Sequence, residues 1–283
     1  MKRISHRLCK IVVALGVVLV AGCGSGRMVL PFALDPSTLA SPTDARTLTT
    51  HDAAVRGIAA IMARDLGLPL PDEFRVYVYA GRQVFEQGLI QDARVSPPRA
   101  AELSEFAVGI GKRRQLLLND DGTDRGREWL RLITHELAHV SQIEMAQGEG
   151  LAEQWLAEGM AEWVAFTVLQ RLGLDTMVGR RQLATAGIRN HAALVAARLD
   201  LETLGNPRGF TVRHLREGSL PTYQLAFLMA DYLIERDGFP RVVRYFRSFS
   251  LRHDRYANFR ETFGQSLDQF EQEVLAHLKA VVR

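Results

Sequence analysis

Apolar residues recur at helical spacing over residues 52–66, where Val55, Ile58, Ala59, Met62 and Leu66 share one face. Gly67 and Pro69 close this predicted amphipathic helix. The period then shortens: Phe74-Arg75-Val76-Tyr77-Val78-Tyr79-Ala80 reads as a half-buried strand. Two further strands are expected at Phe106 to Ile110 and Gln115 to Leu118, and the stretch between the first and second strands, with Pro97 and Pro98, reads as loop. From about Arg127 the helical period dominates. One helix is expected over Trp129 to Ala146 and a second from about Leu151 to Leu172, with later helices over 181–199, 222–236, 239–250 and 266–281. Ser266 and Gln269 have the spacing of a capping box at the start of the last helix. Trp155 and Trp163 are expected to pack the second helix against the sheet. The fold class predicted is α+β, a small N-terminal sheet followed by a mostly helical remainder.

Composition changes this picture little. The chain has 283 residues, 47% apolar and 24% charged, which suits a globular protein of one large or two small domains.

The first 22 residues have a separate character. Lys2, Arg3, Arg7 and Lys10 precede an apolar run from Ile11 to Val20 that only Gly16 interrupts. The run is shorter than the roughly 20 residues a membrane-spanning helix needs and matches the core of an export signal. It ends in Val20-Ala21-Gly22-Cys23, which resembles the bacterial lipobox. That resemblance implies cleavage before Cys23, a lipid on its sulfur and a membrane-anchored envelope protein. Gly24, in place of an aspartate, points to the periplasmic face of the outer membrane. Residues 23–50, rich in Gly, Pro, Ser and Thr, then read as a tether. Without the leader's four basic residues, Lys plus Arg falls from 35 to 31 against 32 Asp plus Glu, so the mature chain is near neutral and no nucleic-acid partner is expected. With only Cys9 and Cys23 in the chain, neither a disulfide nor a cysteine-based metal site is expected in the folded part.

The chemistry concentrates in His135-Glu136-Leu137-Ala138-His139 and in Glu158 and Glu162 of the next helix. Two histidines four apart on a helix can aim at one ion. Glu136 is rotated about 100° from His135 and can meet a water from the side, as a general base does. If Gly148 and Gly150 mark a turn between antiparallel helices, His139 lies about 12 Å before the turn and Glu158 about 10.5 Å after it. Glu158 therefore comes level with His139, and Glu162 comes level with His135. Counting separates the two glutamates only weakly. Glu158 is taken as the third ligand and Glu162 as a carboxylate that orients a ligand histidine. Three protein ligands leave a position open for water, which is the pattern of a catalytic Zn²⁺ site. Gln142 and Met145 occupy the positions where a metzincin carries its glycine and third histidine.

His135-Glu136-x-x-His139, eighteen residues, then Glu158 resembles the gluzincin metallopeptidases, in particular the aminopeptidase-N-like and peptidase MA-like branch. The resemblance is clearest over residues 127–170. It implies a zincin-like fold, zinc on His135, His139 and Glu158, Glu136 as base, a peptide or protein substrate and an edge strand that pairs with that substrate. Phe106 to Gly111 is the candidate strand and Phe74 to Ala80 its competitor. The resemblance also implies a tyrosine that stabilises the oxyanion. Tyr223, 65 residues beyond Glu158, matches such a position; it also shares a helical face with Phe227, Ala230 and Leu233, as a core tyrosine would. No segment matches the aminopeptidase motif that captures a substrate's terminal amine. Residues 51–174 are expected to form the catalytic part and 175–283 a helical part closing the cleft.

His51, His191, His214 and His253 lack ligand spacing and read as surface or core residues; the alternative for His214, in a loop-like stretch before Tyr223, is to line a cleft. Arg241, Arg244 and Arg247 form a stripe that reads as a solvated helix face or a contact with anionic lipid. Against the peptidase stands a non-enzymatic envelope lipoprotein that uses zinc as a scaffold and its C-terminal helices to bind a protein partner. An intact Glu136 speaks against that alternative, because a scaffold has no use for the carboxylate.

Overall fold

A computed structural model describes residues 26–33, 40–120, 124–148 and 152–281. The proposed leader and Cys23 lie outside these. Alternating side chains build a four-stranded sheet from β1 (Arg27–Ala33), β2 (Glu73–Tyr79), β3 (Gly109–Lys112) and β4 (Gln115–Asn119). The order is β1-β2-β4-β3, with β2 parallel to β4 and the outer pairs antiparallel. Both faces of the sheet are buried. Val76, Val78, Leu116 and Leu118 face the main core, which α1 (His51–Asp65) shares. Tyr77, Tyr79 and Leu117 face a second cluster with Phe85, Leu89 and Ala100.

That second face explains the first correction. The stretch expected to be loop forms α2 (Arg82–Gln91) and α3 (Pro97–Phe106), which cover it. Pro97 and Pro98 read as breakers, but they occupy the first turn of α3, where a missing N–H costs nothing. Phe106 therefore ends a helix, and the strand begins only at Gly109. The tether is corrected likewise. Arg27–Ala33 is an edge strand, and Phe32 and Leu48 are core residues. Pro31 hides the strand from a pattern reading, yet an edge strand tolerates a residue without an N–H.

Helices α4 (Arg127–Ala146) and α5 (Gln154–Arg171) follow. The polypeptide leaves α4 through Gln147, which takes the left-handed conformation at φ 54°. Most of α5 is buried around its whole circumference, as expected of a helix apolar on every side. It lies between α4 and α9 (Ser219–Asp237). Its tryptophans meet C-terminal helices rather than the sheet. Trp155 stacks on Phe270 at 5.4 Å and Trp163 on Phe239 at 4.7 Å.

The remaining helices are α6 (Met177–Asn190), α7 (Leu201–Leu204), α8 (Pro207–Glu217), α10 (Phe239–Ser248), α11 (Arg255–Phe263) and α12 (Leu267–Val281). The expected helix over 181–199 stops at Asn190. α8 and α11 were not expected, and both are polar helices announced mainly by their caps. Asn206 accepts from Gly209 N at 2.7 Å and Asp254 from Ala257 N at 2.9 Å. The capping box at α12 closes both ways, Gln269 N to Ser266 Oγ at 3.2 Å and Ser266 N to Gln269 Oε1 at 2.9 Å. The main core is one cluster running from Phe32 to Leu278. Among the described residues no helix is long and apolar enough to cross a membrane.

Candidate metal centre

Helix α4 presents His135 and His139 on one face, and α5 brings Glu158 against them. His135 Nε2 lies 3.1 Å from His139 Nε2 and 3.2 Å from Glu158 Oε2. His139 Nε2 lies 3.3 Å from Glu158 Oε2. Hydrogen bonding alone accounts poorly for this triangle, since one ring proton cannot serve two partners at once. The donors instead converge on one point. Metal–ligand bonds of 2.0–2.1 Å in a tetrahedron place neighbouring donors about 3.3 Å apart, close to these three edges. The group can hold a metal ion. Of the two glutamates left nearly level by counting, Glu158 is the one inside the group.

The surrounding contacts hold each donor in place. His139 Nδ1 sits 2.9 Å from Gln142 Oε1, and Gln142 Nε2 donates to Ala157 O of α5 at 2.8 Å. This bridge favours the tautomer whose bare Nε2 faces the centre. Glu158 Oε1 accepts from Gln154 Nε2 at 2.7 Å. Glu162 Oε1 lies 3.0 Å from His135 Nδ1, an ion-pair contact off the line of a hydrogen bond, and 2.5 Å from Arg131 Nη1.

The electrostatics call for a cation. Burial works against a charged His135, but Glu158 and Glu162 outweigh it and push the imidazole up to about 10. His139 moves the same way, with burial opposing and Glu158 prevailing. Burial would raise Glu158, yet the two histidines hold it well below the usual carboxylate range. A divalent ion would supply the positive charge that these carboxylates otherwise draw from protonated rings.

Glu136 is buried beside the centre, and its Oε2 accepts from Gly111 N of β3 at 2.7 Å. β3 is the edge strand next to α4, whereas Phe74 to Ala80 supplies the interior strand β2. Its closeness depends on glycine. A Cβ on Gly109 would lie 2.8 Å from Glu136 Cγ, and one on Gly111 would lie 2.3 Å from Glu136 O. Tyr223 places its ring 5.9 Å from that of His135. Burial, reinforced by Glu158, Glu136 and Glu162, raises its hydroxyl well above the usual tyrosine value, so it stays protonated as a donor. His214, on α8 rather than in a loop, packs its ring 5.9 Å from Tyr223 and 4.9 Å from Phe106. Burial pushes His214 down, against a smaller upward pull from Glu158.

His135, Glu136, His214 and Tyr223 stand where two cavities meet, one of about 460 Å³ and one of about 360 Å³. Comparison with known protein families, curated proteins and solved structures finds no match to this chain. Functional inference therefore rests on the site. Sequence reasoning missed Gln154 and Arg131, each within four positions of a residue it named, and gave Gln142 no role at the centre. It also missed the Gly109-x-Gly111 spacing that marks a close strand–helix approach. His51 is buried edge-on to Trp129 at 5.2 Å, outside the centre.

Proposed function

We propose that this chain is a zinc-dependent peptidase of the gluzincin type with a zincin-like arrangement of strand and helices. The observation that carries the reading is the triangle of two imidazoles and one carboxylate, with Glu136 and Tyr223 facing the same cavity. Zinc, when bound, supplies a Lewis acid for the scissile carbonyl and an acidified water. His135, His139 and Glu158 would hold it. Glu136 takes the proton of the attacking water and delivers it to the leaving nitrogen, while Gly111 N orients its carboxylate. The Tyr223 hydroxyl donates to the oxyanion as the carbonyl carbon becomes tetrahedral. The leader pattern supports placing the enzyme in the bacterial envelope on a lipid at Cys23.

The test is Glu136→Gln. The variant should keep about one zinc per chain and lose at least about 10²-fold in kcat on a peptide library. Undiminished turnover with zinc retained would rule out the assigned base. Zinc retained by the wild type without cleavage of any peptide, together with a stably co-purifying protein, would favour the scaffold reading.

A further inference from the structure

Resting on the peptidase reading, we infer that the cleft cuts internal bonds of an extended chain and takes an apolar side chain beside the cut into the smaller cavity, between α6 and α9.

The metal centre is a junction rather than the end of a pocket. The larger cavity continues along α4 past His139 to Ile143 and Ala146, and the smaller one continues the other way past Leu132 to Phe166 and Phe227. A chain cut at the junction has residues on both sides of the broken bond.

The strand that would guide it is β3. Val108 O accepts from Asn119 N, so residues 108, 110 and 112 turn their main-chain groups toward β4. Residues 109 and 111 turn theirs toward the cleft, as the Gly111 N contact with Glu136 confirms. Gly109 and the Gly111 carbonyl thus offer an edge along which an extended peptide adds as a further strand.

Charge on the described walls favours an internal segment over a chain end. A terminus carries a full charge and needs a fixed opposite charge in the pocket. Among the described residues the larger cavity has no acid besides Glu136 and Glu158. Arg99 pairs with Glu102 at 2.7 Å, and Lys112 donates to Ala93 O at 2.9 Å. In the smaller cavity Arg131 pairs with Glu162 at 2.5 Å and Glu128 at 2.8 Å, while Arg180 pairs with Asp175 and lies 3.5 Å from Glu128. Both arginines thus already face carboxylates of the protein. The rest of the wall is mostly apolar, with Leu132, Phe166, Ala184 and Phe227 inside and Leu183 (58% exposed) and Leu220 (68% exposed) at the rim, and with Ser219 and Gln224 as polar members. Two exposed leucines facing one opening suit an uncharged, apolar side chain.

The experiment uses the zinc-loaded enzyme and internally quenched peptides with a central Leu, Ala or Asp, each with free ends or with an acetylated N-terminus and amidated C-terminus. Blocked and free peptides should be cut at the same internal bond with kcat/KM within about threefold, as expected when neither terminus contributes binding energy. Central Leu should be preferred over Asp by tenfold or more. Leu183→Glu and Leu220→Glu, both at exposed positions, should each lower the Leu-to-Ala preference about tenfold. Cleavage confined to free termini, one residue at a time, overturns the inference and leaves the peptidase reading standing. So does a preference that ignores both the central residue and the two variants. If either variant fails to fold, the Leu, Ala and Asp peptides on the wild type still decide. Absence of cleavage of every peptide by zinc-loaded enzyme removes the peptidase reading and this inference together.

Discussion

At the scale of the residue, the centre is a set of buried rings and carboxylates whose donor atoms converge where a cation could sit. Glu162 shows how far the arrangement extends beyond the three donors. It faces His135 on one side and Arg131 on the other, so its charge is shared between ring and guanidinium. Glu162→Gln should weaken zinc binding about 10- to 100-fold, read by competition with a chromophoric chelator. Unchanged affinity would leave Glu162 as packing alone. Glu153, at the start of α5, makes a different prediction. It is fully buried, its carboxylate oxygens have no hydrogen-bond partner among the described residues, and its nearest cation is Arg255 at 3.4 Å. Burial pushes it up to about 7 from 4.5, with Arg255 opposing and Glu202 assisting. Between those two values the folded chain holds a proton that the unfolded chain releases. Stability from this group is therefore full below about 4.5 and falls as pH rises to about 7. The gain in unfolding free energy of Glu153→Gln over wild type should grow by up to about 3 kcal/mol across that window and then level off. Urea unfolding of both chains at several pH values checks it, and a gain that stays flat with pH counts against the buried-acid account.

At the scale of the element, the site depends on close approaches that only glycine allows. α5 meets α9 at Gly159, where a Cβ would fall 2.2 Å from Ala226 O. That contact sets the depth at which the neighbouring Glu158 is held. Gly159→Ala should cost about 1–3 kcal/mol of stability and also weaken zinc binding. Gly148→Ala, with nothing within 4 Å of its added carbon, should do neither. Thermal unfolding and zinc competition on both variants make the comparison; equal behaviour would mean that the helix pair adjusts without strain.

At the scale of the whole molecule, the candidate ligands come from two helices of one continuous core, so a bound metal and the fold would be linked. Zinc at a hundred times its Kd should add about 2.7 kcal/mol to the folded state, and a chelator should remove it. Differential scanning calorimetry should show a lower midpoint with chelator for the wild type and no such shift for His139→Ala. A chelator shift that survives His139→Ala would place the stabilising ion elsewhere.

The local pattern carried the chemistry because helical spacing is short-range. His135, Glu136 and His139 share one turn and its neighbour, and caps such as Ser266 with Gln269 lie within a single turn, so no distant contact is needed to read them. The α+β class was legible for the same reason, from the change of period near Arg127. What the pattern could not carry depends on partners far along the chain. Arg27–Ala33 is a strand because Glu73–Tyr79 lies beside it, and Arg82–Phe106 folds into helices because Tyr77 and Leu117 need cover. The choice of Glu158 over Glu162, the place of His214 and Tyr223, and the two cavities all follow from how α4, α5, α8 and α9 pack. Spacing along one helix is set by its own hydrogen bonds, whereas the rotation and depth of a neighbouring helix are set by every side chain between them, and those come from the whole sequence at once.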